Sequence, residues 1–396
     1  MSGEDTRSET VNEHLGARQQ NRSLPATVRQ PDTLICLMGE QTHPSLILAG
    51  KLERSLKKVV LLGTADVKQL MVHAGAAIAD LLGGAAIEMD TSLPPYDWRD
   101  TETIVRRWIE LNPAAVLDLT GGTKPMVIGA YRAGTAARLP LVYVDTRAER
   151  IQSVGDVPCP ITDPECFPEI RADVLLRARG FKATHGQLTA IDERRRRLVA
   201  ALFADPTVWR QWASAKGQGS CDAENNIVHL PEGRNAVLFL AMLKKNGLAE
   251  CRGHDVCFAT ADDFRFFTTG FWLERYVAEV ATKTGVREVL LNWKCFAITG
   301  AGEESGRPKP DYEFDVVLTR RATLYFISCK TGKVTWEDIE SFANAVRHLG
   351  GTFAKGALAT LQPVQDKLLD KAKRSAVQVW DAKRFNGLHK HIQAWL

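Results

Sequence analysis

A chain of 396 residues has room for two or three domains. Its 45% hydrophobic and 25% charged residues are the proportions of an ordinary globular protein, which excludes fibrous and disordered classes. A net charge of +4 is too mild to announce a strongly basic nucleic-acid surface, though local basic patches stay open. No apolar run reaches membrane-spanning length, and the polar N-terminus does not read as a signal peptide. Eight cysteines without CxxC pairs point to a reducing, cytoplasmic setting.

Residues 1–30 are rich in polar residues and lack apolar periodicity, the pattern of a mobile extension. From Thr33 strands and helices alternate. The strands are Thr33–Met38, Val59–Gly63, Ala86–Met89, Ala114–Leu119 and Leu141–Asp145. The helices are Pro44–Leu56, Val67–Leu82, Thr101–Leu111 and Pro125–Ala137. Such alternation builds a mostly parallel sheet with helices on both faces, and ligands of such sheets bind at the carboxyl ends of the strands.

Two loops occupy those ends, Gly39–Pro44 and Thr120–Met126. The paired Gly121 and Gly122 let the backbone take positive φ and let a bulky ligand reach its N–H groups. Thr120, Thr123 and Lys124 add hydroxyl and ammonium donors ahead of a helix N-terminus that favours negative charge. Read alone, the glycine pair is equally a tight turn. Neither a GxGxxG nor a Walker A pattern occurs, so NAD and ATP are not signalled.

The block Asp118-Leu-Thr-Gly-Gly-Thr-Lys-Pro-Met126 resembles the ligand loop of CARF (CRISPR-associated Rossmann fold) domains, and the resemblance covers about residues 33–150. It implies a sensor over 31–156 for a cyclic oligoadenylate, most often cyclic tetra-adenylate. A ring of identical nucleotides is rotationally symmetric, which suits the two-fold interface of a homodimer. Gln41, Thr42, Gly121, Gly122, Thr123 and Lys124, with Thr120 beside them, are then the expected ligand contacts.

Residues 157–262 read as a linker followed by a small helical connecting module, with helical patterns at Ile170–Arg179 and Leu188–Phe203 and a helix-then-turn pattern, of winged or connecting character, at Asn235–Glu250. The Arg194–Arg197 run reads first as a solvated helix face beside Asp192 and Glu193, and second as a nucleic-acid contact. Cys251, His254 and Cys257 lack a fourth ligand and the spacing of a structural zinc site.

Over 263–396 the pattern is again mixed. Gly270–Val280 is an amphipathic helix whose Glu274 borders the packed face, the position of an ordinary exposed carboxylate. Phe314–Leu318 and Thr323–Cys329 form a hairpin around the turn Thr319-Arg320-Arg321. Strand alternation puts Glu313 and Asp315 on one face, with Phe314, Val316 and Leu318 on the other, and pairs Ser328 with Lys330. Two carboxylates and a lysine on one face can hold a divalent cation and assist an attacking water, or be plain surface charges. Trp336–Leu349 reads as a helix ended by Gly350-Gly351, and Ala357–Thr360 and Val377–Trp380 as closing strands.

The blocks Gly270–Glu274, Glu313–Val317, Ile327–Gly332 and Leu349–Gly351, in that order, resemble the PD-(D/E)xK nuclease core of CARF effectors from type III CRISPR systems. The implied fold class is α/β, a Rossmann-like CARF domain followed by a restriction-endonuclease-like domain. The resemblance makes Asp315 the metal aspartate and Lys330 the assisting lysine; Asp311, which spells the motif literally after Pro310, sits in a loop. Ser328 replaces the motif's second acid, a shortfall for Glu274, Glu313 or Glu340 to make up, with the Cys329 backbone carbonyl a further ligand. The implied activity is that of a Mn²⁺- or Mg²⁺-dependent endonuclease, allosterically activated by cyclic oligoadenylate, acting on single-stranded DNA or RNA. Two alternatives stand beside it: a non-catalytic ligand-sensing regulator, favoured by Ser328, and a ring nuclease whose sensor cuts its own ligand.

Overall fold

A computed structural model describes residues 30–158, 161, 163–233, 236–298, 309–385 and 387–396. The expected extension 1–30 lies outside them but for its last residue, as do parts of the 157–168 linker and Asn235. The first half follows the alternation: β1 (Thr33–Leu37), α1 (His43–Leu52), β2 (Lys58–Leu62), α2 (Lys68–Leu81), β3 (Ala86–Asp90), α3 (Trp98–Leu111), β4 (Ala115–Asp118), α4 (Lys124–Ala136) and β5 (Leu141–Asp145). A strand not anticipated, β6 (Arg150–Ser153), pairs antiparallel with β5.

The strands lie in the order β3-β2-β1-β4-β5-β6, so the direction of winding reverses between β1 and β4. Their carboxyl-end loops diverge there and leave the crevice in which sheets of this kind bind ligands. Alternate residues of each strand bury opposite faces. Leu34, Cys36, Val59 and Leu61 pack with α1 and α2, while Ile35, Leu37, Val60 and Leu62 pack with α3 and α4.

Next come α5 (Ala172–Arg177), β7 (Phe181–Gly186), α6 (Glu193–Ala204), α7 (Pro206–Gly217), β8 (Ser220–Asp222), β9 (Ile227–His229), α8 (Val237–Lys245), β10 (Ala249–Arg252) and β11 (Asp255–Phe258). The short strands form an antiparallel sheet, β10-β11-β9-β8, beside three helices, so the connecting segment is a mixed module rather than a helical one. Its arginine run is structural. Arg195 is buried and bonded to Asp262 and Asp263, Arg196 pairs with Glu279, and Arg197 pairs with Glu193.

The last third holds α9 (Ala261–Thr268), α10 (Phe271–Thr282), β12 (Glu288–Ala297), β13 (Tyr312–Arg320), β14 (Thr323–Lys330), α11 (Trp336–Gly350), β15 (Ala354–Thr360), α12 (Asp366–Arg374), β16 (Val377–Trp380) and α13 (Leu388–Trp395). Its six-stranded sheet runs β16-β15-β14-β13-β12-β7, with β14, β15 and β16 parallel to one another. The edge strand β7 comes from the stretch read as a connector, so the second α/β unit draws on residues well before 263. The β13–β14 turn is shorter than read from sequence. Only Arg321 and Ala322 intervene, both at positive φ (48° and 59°), as a tight two-residue hairpin turn requires.

The two halves share a core. One continuous apolar cluster runs from Leu46 and Leu48 of α1 through Phe167 and Leu175 to Phe326, Leu349 and Phe353. Among the described residues no helix is long and apolar enough to cross a membrane.

Candidate functional site

Two regions gather the residues singled out from the sequence. The first is the crevice above β1 and β4. Its two loops touch through glycine backbones: a Cβ on Gly39 would stand 3.0 Å from the Gly122 amide nitrogen, and one on Gly121 would collide with the Leu37 carbonyl. Gly122 has φ +78°, which favours glycine. The hydroxyls here are committed to the frame. Thr120 Oγ1 donates to Asp118 Oδ1 (2.5 Å) and accepts from the Val144 amide (2.8 Å). Thr123 Oγ1 donates to the Pro95 carbonyl and caps α4 by accepting from the Met126 amide.

Gly122 and Lys124 are exposed and Gly121 and Thr123 half-buried, an arrangement open to a ligand. Gln41 and Thr42 are placed differently from the expectation. Thr42 is fully buried, and the side chain of Gln41 reaches Gly351 of the other α/β unit, so in this conformation Thr42 presents no surface to a ligand. Asp118, quoted in the motif but assigned no role, is fully buried with Oδ2 unpartnered among the described residues, and burial raises its pKa to about 6.

The second region lies where β13 and β14 part. Their ladder ends at the Val316–Ile327 pair. One residue further on, the Asp315 side chain takes over: Oδ2 accepts from the Cys329 amide at 2.5 Å and from Ser328 Oγ at 3.3 Å. The strict alternation read from the sequence fails at this point. Phe314 packs with Trp293 and Phe326 on one face, whereas Val316 and Leu318 pack with α10 on the other. On β12, Asn292 has φ +52° between the paired Leu291–Val316 and Trp293–Phe314. Both strands therefore turn over at the same level, and Asp315 is the residue at the turn.

Glu274 of α10 lies close enough to Asp315 for the Asp315 charge to act on it. Burial, then Asp315, raises the Glu274 pKa to about 8, with Arg265 of α9 opposing. Asp315 is also raised, by burial first, while the Cys329 amide and Lys330 lower it. A half-buried carboxylate pair that resists double ionisation is a fitting cradle for a divalent cation. Among the described residues, however, no group of three His, Cys, Asp or Glu is placed to hold one, and the side chain beside Asp315 on β14 is the hydroxyl of Ser328.

The other candidates relate to this pair in different ways. Glu313 is exposed and pairs with Lys294 at 3.5 Å. Glu340 pairs with Lys371 at 3.7 Å. Cys329 meets Asp315 through its N–H. Asp311 Oδ2 accepts from the Ala297 amide, a structural role. Lys330 forms an ion pair with Asp338 of α11 at 3.3 Å. Sequence reasoning missed Asp338 and Arg265, which lie eight residues after Lys330 and nine before Glu274, each on a different element from its partner.

No protein-family profile and no curated protein matches the sequence. Solved structures do match. A Vibrio cholerae protein, VC1899, aligns with TM-score 0.77 at 15% identity, over 92% of this chain and 97% of its own. Can2 from Sulfobacillus thermosulfidooxidans, solved in complex with cyclic tetra-adenylate, aligns with TM-score 0.69 at 21% identity, over 92% of this chain and 99% of its own. The chain therefore shares the fold of these two structures along nearly its whole length. A third structure, a type III CRISPR defence DNA nuclease activated by cyclic oligoadenylate, aligns with TM-score 0.51 at 20% identity over 87% of this chain and 48% of its own. Within this chain the crevice lies in the first α/β unit and the carboxylate pair in the second.

Proposed function

We propose that the protein is a cyclic-oligoadenylate-activated, metal-dependent nuclease of type III CRISPR defence. The observation that carries this reading is the Glu274–Asp315 pair beside Lys330, at the parted ends of β13 and β14. Glu274 and Asp315 are the residues to hold Mn²⁺ or Mg²⁺, with the Cys329 carbonyl a further candidate. A cation held there supplies a more acidic bound water and a polarised phosphodiester. Asp315, fixed by the Cys329 amide, keeps its carboxylate in one orientation. Lys330 orients the attacking water and offsets charge on the phosphorane. The substrate is single-stranded DNA or RNA, cut with little sequence preference.

The activator is a cyclic oligoadenylate, with cyclic tetra-adenylate first, bound in the crevice by Gly121, Gly122, Thr123 and Lys124 from each of two copies. Exposed Ile128 and Tyr131 on α4, with Tyr96 nearby, supply apolar surface for the second copy to cover. One ring per two chains is the expected stoichiometry in titration calorimetry. One ring per chain, or no binding of any ring size, would remove the dimeric sensor from the account. The regulator reading keeps one observation in its favour, the missing third acid at Ser328.

A further inference from the structure

The β1–α1 loop does two jobs. One side forms a wall of the crevice through Gly39, and the other is one of the sensor's contacts with the nuclease half. There the His43 ring stacks on Phe353, centroids 4.8 Å apart and planes 4° from parallel. The Gln41 side chain lies so close to Gly351 that a Cβ there would come within 2.5 Å of Gln41 Oε1. Arg179 ties both sides together. One of its Nη atoms donates to the Glu40 carbonyl (3.3 Å), the other to the His348 carbonyl (3.0 Å). His348 is in the last turn of α11, and Gly351 and Phe353 follow directly after it.

The opposite end of α11 sits in the candidate nuclease site. Asp338, in its first turn, holds Lys330 at 3.3 Å and is itself fixed by a reciprocal capping box with Thr335. From Asp338 to Gly350 the helix axis covers about 18 Å at 1.5 Å per residue. One rigid helix thus has its C-terminal end in contact with the crevice loop and its N-terminal end on the assisting lysine.

The junction also has the look of an element with a second arrangement. Gln41 Oε1, Thr42 Oγ1, both His43 ring nitrogens and Arg179 Nε are buried without partners among the described residues. Buried polar atoms without partners are costly, so a conformation that gives them partners competes with this one.

We infer that α11 couples ring binding to the nuclease site: movement of the 39–43 loop shifts the Arg179–Phe353 clamp, and Asp338 carries that shift to Lys330. This deepens the proposed function and rests on it. Asp338 is a positioning residue here, acting through Lys330.

The test compares wild type with Arg179→Lys, Phe353→Leu and Asp338→Asn, measuring binding of labelled cyclic tetra-adenylate and Mn²⁺-dependent cleavage with and without it. Arg179→Lys and Phe353→Leu are expected to bind the ring within about threefold of wild type yet lose about tenfold or more of its stimulation. Asp338→Asn is expected to raise ring-free cleavage and to shift the pH profile of cleavage, which a merely structural loss would not do. Stimulation equal to wild type in the first two variants, or lost only in step with binding, overturns the inference while leaving the function intact. Wild type that is not stimulated overturns the function itself. Should the variants not fold, hydrogen exchange on wild type decides. A ring-dependent change across 336–353 supports the coupling, and no change there overturns it.

Discussion

Asp315→Asn cuts Mn²⁺-dependent cleavage by about a thousandfold or more, with little change in folding or ring binding. Asparagine keeps an acceptor oxygen for the Cys329 amide, so the parted end of the hairpin retains its bond. What it loses is negative charge at the position Glu274 shares, and with it the cradle for a cation. Single-turnover cleavage of labelled single strands and a thermal melt check the two halves of this expectation. Cleavage undiminished in a folded Asp315→Asn protein would place the chemistry elsewhere.

Glu274→Gln has opposite effects on activity and stability. Cleavage falls by about a hundredfold or more with the loss of a candidate metal carboxylate. Stability without metal moves the other way on the alkaline side. The Glu274 pKa is raised from 4.5 in the unfolded chain to about 8 in the fold, so the folded state keeps a proton that the unfolded state releases across that window. Wild type therefore loses stability as pH rises from about 4.5 through about 8, with nothing further lost above it, and the uncharged glutamine does not. Discounted for partial exposure, the advantage of the variant at pH 8–9 is about 2–4 kcal/mol. Melting curves from pH 5 to 9 in EDTA measure it, and parallel curves for the two proteins would rule out the strained pair. Added Mn²⁺ at high pH is expected to restore wild type and leave the variant unmoved.

The first α/β unit was legible because β1, β2 and β4 are short, largely buried and mostly apolar runs separated by helical periodicity, and β5 was read to the residue. The β13–β14 hairpin was legible too, but its faces were not. Alternation assumes an unbroken pleat, and the pleat turns over at Asn292 and Asp315. β7 and β12 escaped notice because a strand that owes its place to partners 100 residues away carries little local signal. The strands β8 to β11, three or four residues each, fall below what periodicity can register. Glu274 looked like any helix carboxylate until a family resemblance gave it a role, and the fold then brought it to Asp315. The Arg179 bonds join residues 139 and 169 positions apart, and the Lys330–Asp338 pair joins a strand to the next helix, so no periodicity within one element encodes either.

The most direct test of the whole account is cleavage of labelled single-stranded DNA and RNA by wild type in Mn²⁺, with and without cyclic tetra-adenylate. The account predicts cutting that depends on both the metal and the ring. Cutting at the same rate without the ring would contradict the sensor, and no cutting with any ring size would make Ser328 the mark of a lost active site.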